Sequence, residues 1–401
     1  MELSGRLVGD GMAGVDWVQT LGIIAETVLS SPAGALYVGG TTQGQTPEQT
    51  PLEQPLQQSY AVLAQYDAEG QQQWLQTLPL ATGSRTTHLA LVDDRLYALG
   101  TVPVPLPNSA ETPQTTIQTE VWLAEYSLAG EQQWLQKLRS VHPQRPDSLA
   151  IDGRGFLYIA GHTTPEDVEA EGWLAKYDPA GERLWQTTLG NYRHPLPLQL
   201  WLGEDPTART KFARIAVYVA GSTAMPLALP NGEDNPDAAA AQSWLARYSS
   251  EGIQRWITAL GPAPGVYCTA LTTDAAHQLY LVGQTPPTDQ RPAGPWLAQY
   301  APQGQPVWQT ARMLESEQAV AQIVAMPSGL TIVGLDSAGQ VWLTVCDGTE
   351  ETIDKAIPLK LEGPVTQIKG AAVTVAADLV VLGQSSGIAA DAQQWLAKVT
   401  V

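Results

Sequence analysis

The sequence predicts an all-β chain, a seven-bladed β-propeller of four-stranded antiparallel blades, and three observations predict it. A short apolar run ends in glycine at Gly40, Gly100, Gly161, Gly221, Gly283, Gly334 and Gly383. A Trp-Leu-Ala segment follows each run at a variable distance, and a second tryptophan follows beyond a tight turn. The last copy lacks its final strand, and a matching segment stands at the other end of the chain.

The third unit is the cleanest copy and justifies the elements. Leu157-Tyr158-Ile159-Ala160-Gly161, Trp173-Leu174-Ala175-Lys176-Tyr177 and Leu184-Trp185-Gln186-Thr187-Thr188-Leu189 are its three runs. Short runs rich in aromatic and β-branched residues, bounded by Gly, Pro or Asp, are strand signals. Asp178-Pro179-Ala180-Gly181 lies between the second and third runs. Proline there suits φ near about −65° and glycine suits a positive φ, so a tight hairpin is expected.

The same landmarks run through the chain. The Trp-Leu-Ala position is filled by Val62, Trp122, Trp173, Trp244, Trp296, Trp342 and Trp395. The tryptophan beyond the turn is Trp74, Trp134, Trp185, Trp256 and Trp308, with Thr352 in the degenerate sixth copy. Units of roughly 50–60 residues have the size of a four-stranded propeller blade. The seventh unit ends at Trp395-Leu396-Ala397-Lys398-Val399-Thr400-Val401, whereas Val15-Asp16-Trp17-Val18-Gln19-Thr20-Leu21-Gly22 matches the outer strand of unit three. Residues 15–22 are therefore expected to complete blade 7 and close a ring.

Residues 1–401 read as one propeller, with blades at about 23–80, 85–139, 147–190, 196–261, 265–312, 319–359 and 365–401. The first two blades carry Gln/Thr/Pro-rich loops at 41–59 and 102–120, which lack apolar periodicity. The fourth is the most altered, with an insertion after Gly190 and a long loop at 222–242. The sixth has Thr331 where other copies have tyrosine.

The pattern Tyr-Val-x-Gly, then Trp-Leu-Ala-x-Tyr-Asp-x-x-Gly-x-x-x-Trp, resembles the bacterial β-propeller repeat (SBBP) family over residues 15–401. Its Asp-x-x-Gly-x-x-x-Trp part is also similar to quinoprotein-like propeller repeats. The resemblance implies a fold; it carries no single activity and no transferable catalytic residues. It implies exported or surface proteins, and from that this chain departs.

The chain has no basic start followed by an apolar core and no long apolar run, so a cytoplasmic location without membrane insertion is expected. A net charge of −19 makes nucleic acid a poor partner, because phosphate binding needs clustered Lys and Arg. Cys268 and Cys346, the two cysteines, read as buried free thiols. Of the 13 tryptophans, Trp17, Trp74, Trp122, Trp134, Trp173, Trp185, Trp244, Trp256, Trp296, Trp308, Trp342 and Trp395 occupy repeat positions and read as structural. Only Trp201 stands outside the repeat.

No catalytic, cofactor or metal motif is visible. The histidines His88, His142, His162, His194 and His277 show no ligand spacing, although His88 and His277 fall beside predicted innermost strands, where distant residues could converge. Glu166, Asp167, Glu169 and Glu171, then Glu233, Asp234 and Asp237, form acidic loop segments without the order of a calcium loop. The unequal loops all fall between the second and third strands, hence on one face, and repeat proteins place such variation on the binding face. The expected function is a non-catalytic scaffold or assembly factor that binds another protein through this face, with Trp201 and the acidic loop residues as candidate contacts. The alternatives are a glycan or small-ligand binder and an enzyme with a site at the central channel.

Overall fold

Every strand in the computed structural model belongs to one of seven four-stranded antiparallel sheets. The structure describes residues 14–44, 58–105, 117–138, 144–163, 170–192, 197–204, 215–223, 242–261, 266–274, 276–285, 294–310, 318–327, 329–346, 357–359, 361, 364–385 and 393–400.

The first strand, β1 (Gly14–Leu21), belongs to the last blade. Blade 1 follows, from the centre outward, as β2 (Ile24–Ser30), β3 (Leu36–Gly44), β4 (Gln58–Tyr66) and β5 (Gln72–Thr77). Blade 2 is β6 (Arg85–Val92), β7 (Arg95–Pro105), β8 (Ile117–Ser127) and β9 (Gln132–Leu138). Blade 3 is β10 (Gln144–Ile151), β11 (Leu157–Thr163), β12 (Ala170–Tyr177) and β13 (Arg183–Tyr192). Blade 4 is β14 (Gln199–Glu204), β15 (Ile215–Thr223), β16 (Gln242–Ser249) and β17 (Gln254–Ala259). Blade 5 is β18 (Tyr267–Thr273), β19 (Leu279–Thr285), β20 (Gly294–Tyr300) and β21 (Pro306–Thr310). Blade 6 is β22 (Gln318–Met326), β23 (Gly329–Asp336), β24 (Val341–Cys346) and the short β25 (Ile357–Pro358). Blade 7 is β26 (Val365–Val373), β27 (Leu379–Ser385) and β28 (Gln393–Thr400), completed by β1.

The innermost strands close the ring. β2 meets β6, β6 meets β10, and the cycle continues through β14, β18, β22 and β26 back to β2. β1 pairs antiparallel with β28, from Gly14 opposite Thr400 to Leu21 opposite Gln394. The expected seven-bladed propeller, completed by its N-terminal strand, is the observed fold.

The core lies between neighbouring sheets. Leu36, Val38, Val62 and Ala64 of blade 1 pack with Val380, Leu382 and Leu396 of blade 7 in one buried cluster. Ala64, Ala124, Ala175, Ala246, Ala298 and Ala397 are all fully buried, as the close approach of two sheets demands. Within five blades the tyrosine of the second strand meets the outer tryptophan, as in Tyr37–Trp74 and Tyr97–Trp134, with ring centroids 6.1 Å apart in both pairs.

The repeated glycine has a steric cause. In six blades the register of the innermost strand slips by one residue, leaving Glu26, Thr87, Asp147, Thr269, Ala321 or Lys369 as a bulge. The bulge drives a carbonyl towards the glycine on the next strand. A Cβ on Gly100 would lie 1.9 Å from Arg85 O, and one on Gly283 would lie 1.8 Å from Tyr267 O. From the other side the glycine is covered by the tryptophan opposite it, Trp122 for Gly100 and Trp296 for Gly283. Glycine and tryptophan therefore recur together.

Blade 6 departs from the pattern. Its second and third strands are joined by the tight turn Asp336–Gly339, where Asp336 Oδ1 accepts from the N–H groups of Ala338 and Gln340. Thr331 occupies the tyrosine place and is fully buried, its hydroxyl 3.0 Å from Met326 Sδ. Thr352 lies outside the described residues. No helix among the described residues is long and apolar enough to cross a membrane.

Candidate functional site

The two faces of the ring are built differently. One bears the hairpins between third and fourth strands, capped by their first residue: Asp67 Oδ1 accepts from Glu69 and Gln71 N–H, and Asp178 Oδ1 from Ala180 and Glu182 N–H. Gly70 and Gly181 complete these turns at φ of 80° and 86°. The other face receives the connections between second and third strands. These contain 45–57, 106–116, 164–169, 224–241, 286–293 and 386–392, all outside the described residues.

On that second face the middle hairpins of blades 1 and 2 run past their sheets. In blade 2, β6 pairs with β7 only as far as Thr101, and β9 with β8 only from Val121. β7 and β8 go on pairing to Pro105 opposite Ile117. In blade 1, β3 and β4 pair to Gly44 opposite Gln58, beyond Thr41 and Val62, where β2 and β5 stop. Residues 78–84 join the two ribbons. Gly83 N–H donates to Ser59 O at 2.7 Å, Ala61 N–H donates to Ser84 Oγ at 3.0 Å, and a Cβ on Gly83 would lie 2.9 Å from Pro103. The result is a pair of projecting ribbons held as one body.

Beside these ribbons, at the start of the innermost strands, lies the main polar cluster. Asp147 is the bulged residue of β10, and its side chain is wholly buried. Its Oδ2 accepts from His162 Nδ1 at 2.7 Å and from the Leu198 N–H at 3.3 Å. Arg145 Nε lies 3.9 Å from its Oδ1. The Asp147 carbonyl faces His88 Nε2 at 2.8 Å, and His88 Nδ1 lies 2.9 Å from Thr87 Oγ1. One residue thus joins blades 2, 3 and 4. Burial lowers the His88 pKa, with Arg145 adding to that effect and Asp147 and Glu26 opposing it. Glu26 in turn pairs with Lys369 across the seam between blades 1 and 7, at 3.1 Å.

A carboxylate holding an imidazole is the orientation a general base needs. His162, however, is only 5% exposed, which keeps substrate away and makes the pair a structural staple. Among the described residues no group of three or more His, Cys, Asp or Glu is placed to hold a metal. A cavity of about 390 Å³ lies elsewhere, in blade 6, lined by backbone and by Val341, Leu359, Leu361 and Pro364. It offers one polar side chain, Gln340, and no convergent chemistry.

The sequence-derived candidates are placed as follows. Trp122, Trp173, Trp244, Trp296, Trp342 and Trp395 are buried between blades. Trp17, Trp74, Trp134, Trp185 and Trp256 are partly buried on outer strands, where each covers the turn glycine of the next blade: Gly70, Gly130, Gly181, Gly252 and Gly304. Trp308 packs against the core shared by blades 5 and 6. Trp201 lies between blades 4 and 5, its indole N–H donating to Thr273 Oγ1 at 3.0 Å, and so is no open aromatic platform. Glu171 N–H donates to Thr163 Oγ1, which sets the base of the blade 3 hairpin. Glu166, Asp167, Glu169, Glu233, Asp234 and Asp237 lie outside the described residues, as do His142 and His194. His88 and His277 do not converge: His277 sits in the β18–β19 turn, 3.9 Å from Glu204. Cys268 and Cys346 are buried and are not joined in a disulfide, and burial pushes the Cys268 thiol up to about 12.

No family model matches the chain, and no curated protein matches it. Among solved structures it is similar to the β-propeller domain of the Trilobed protease from Pyrococcus furiosus, described as having an open velcro topology. The identity is 11%, the TM-score 0.52, and the match covers 93% of this chain and 95% of that one. It is also similar to the Pyrococcus horikoshii acylaminoacyl peptidase, at 10% identity and a TM-score of 0.51, over 93% of this chain and 51% of that one. The chain spans about half the length of that peptidase. At these identities the likeness is one of fold.

Proposed function

We propose that this propeller is a protein-interaction scaffold that binds a partner through the face carrying the connections between second and third strands. The observation that supports this reading most directly is the pair of ribbons of blades 1 and 2, extended past their sheets and tied together through Gly83. Val102 and Val104 of the blade 2 ribbon still join the apolar cluster at its base, but the pairing runs on to Pro105 opposite Ile117, past both flanking strands, and ordering that unflanked backbone points to a role outside the fold. Loops on a rigid ring are also where repeat proteins place recognition. The two peptidases among the structural relatives suggest one form the partner could take, a separate hydrolase. We further infer kinship with the bacterial β-propeller repeat family from the shared Tyr-Val-x-Gly and Trp-Leu-Ala-x-Tyr spacing.

The test replaces 45–57 and 106–116 by short Gly-Ser linkers while keeping the paired ribbons. Loop-closure entropy changes slowly with length, by about 0.6 kcal/mol per doubling, so thermal unfolding should hardly move. Recovery of co-purifying protein from native cells should drop relative to the intact chain. Unchanged recovery would assign binding to another surface.

A further inference from the structure

We propose that the ring is built to open at one place, the boundary between blades 6 and 7, where the two blades part from their outer corner while the other boundaries stay closed. The inference stands apart from the scaffold reading. It begins with what clasps one blade to the next on the face of the third-to-fourth hairpins. There the tyrosine of a blade reaches the turn of the following blade: Tyr37 Oη lies 3.4 Å from Leu128 O, and Tyr218 Oη 3.4 Å from Pro302 O. The outer tryptophan covers the same turn, as Trp74 covers Gly130 and Trp256 covers Gly304. Tyrosine and tryptophan also touch each other, in the pairs Tyr37–Trp74, Tyr97–Trp134, Tyr158–Trp185, Tyr218–Trp256 and Tyr280–Trp308.

Blade 7 offers no such turn, because its third and fourth strands, β28 and β1, come from opposite ends of the sequence. A clasp on blade 6 would have nothing to close on, and blade 6 lacks it. Thr331 stands in the tyrosine place, fully buried, with its hydroxyl turned to Met326 of its own blade. Thr352 stands in the tryptophan place of the sequence. The boundary between blades 7 and 1 is different. Val380 takes the tyrosine place there, but Trp17 still covers Gly70 and donates to Ala68 O. One boundary in the ring therefore has neither aromatic.

Two further observations fall on the same boundary. Among the described residues, the outer strand of blade 6 pairs through Ile357 and Pro358 alone. The cavity of about 390 Å³ lies at its loop-face end, between Val341 and Leu359 of blade 6 and Pro364, which leads into blade 7. Beside that cavity Val365 N–H donates to Gly339 O at 2.8 Å, next to the covalent link between the blades, and this end serves as the pivot. What holds the rest is an aliphatic layer that includes Val333, Leu343, Val381 and Ala397. Such contact is non-directional, and parting it breaks no hydrogen bond within either sheet, so each blade can move as a unit.

The test is pulse alkylation of the whole folded chain, with the modified cysteines mapped by mass spectrometry. The alanine of Trp-Leu-Ala supplies matched probes, each fully buried against the preceding blade. Ala397→Cys reports on blades 6 and 7, Ala64→Cys on blades 7 and 1, and Ala175→Cys on blades 2 and 3. The native Cys268 and Cys346, buried between blades 4 and 5 and between blades 5 and 6, are internal clocks in every variant. Ala397→Cys should react at least roughly tenfold faster than the other two probes and both native thiols, the order of effect that a missing aromatic clasp carries. Val381→Cys, on the same boundary, should share that fast rate, and its counterpart Ile159→Cys between blades 2 and 3 should not. One common rate at all sites would mean that the ring opens only by unfolding, and would overturn the proposal. So would a fastest rate at Ala64→Cys, or a fast rate at Ala397→Cys that Val381→Cys does not reproduce.

Discussion

Trp17 lies flat against Gly70. A Cβ on that glycine would sit 2.9 Å from the indole ring, and the indole N–H donates to Ala68 O at 3.1 Å. Trp185 repeats both contacts on blade 4, against Gly252 and Ser250 O. The boundary between blade 7, in which β1 pairs with β28, and blade 1 therefore has the same packing as a boundary in the middle of the chain.

Trp17→Ala should cost as much as an interior member of the same series. The fully buried limit is about 3–5 kcal/mol, and Trp17 and Trp134 are both partly buried, so each should fall at or below it. Equal shifts in chemical-denaturation midpoint would show a seam as strong as its neighbours. A much smaller shift for Trp17→Ala would mean that the ring is held elsewhere.

Ala175→Leu should destabilise by about 1–3 kcal/mol through overpacking. Ala175 is fully buried beside Trp173 and Tyr177 in the layer between blades 2 and 3. Denaturant titration of this variant against Ala175→Gly separates the added bulk from simple loss of the methyl group.

Gly100→Ala and Gly294→Ala form a matched pair. The first places a methyl 1.9 Å from Arg85 O with Trp122 closing the other side, and should cost at least about 1–3 kcal/mol. The second meets nothing within 4 Å and should stay within about 0.5 kcal/mol of the parent. Thermal melts of the two variants side by side decide the matter.

Alkaline unfolding should be cooperative. Burial pushes the phenols of Tyr66, Tyr126, Tyr177 and Tyr248 up to about 12, above the ordinary 10.0. The folded chain then holds protons that the unfolded chain releases, so stability is full below about pH 10 and declines as pH rises towards 12. Tyrosinate absorbance should appear together with loss of the β-sheet circular-dichroism signal. Gradual ionisation before any loss of that signal would show the phenols to be accessible.

The blade plan was legible because its landmark residues face other blades. Gly100 and Trp122 are fixed by one another and by the Arg85 carbonyl, and that constraint leaves the same residue types in copy after copy. The bulge that creates the constraint was not legible. Its residue is Glu26, Thr87, Asp147, Thr269, Ala321 or Lys369, and no shared type marks it, since it is unpaired in the ladder and its side chain meets different neighbours in each blade. The Asp147–His162 pair was missed for a related reason. Linear spacing carries no sign of it, because the pair forms across two strands and needs the register of β10 on β11. Trp201 stands outside the repeat and is therefore expected as a candidate contact of the loop face, yet its indole is held by Thr273 on the next blade.

The pairing of Gly14 with Thr400 separates the order of strands in space from their order along the backbone. A hairpin of the Asp178–Gly181 type, placed after β28, would lead directly into β1, and the chain could then be opened between Leu21 and Ile24. Such a circular permutant would contain seven uninterrupted blades and no strand exchanged between its ends. Its unfolding rate, set against that of the natural order, would measure what interlocking the first and last blades contributes to the lifetime of the ring.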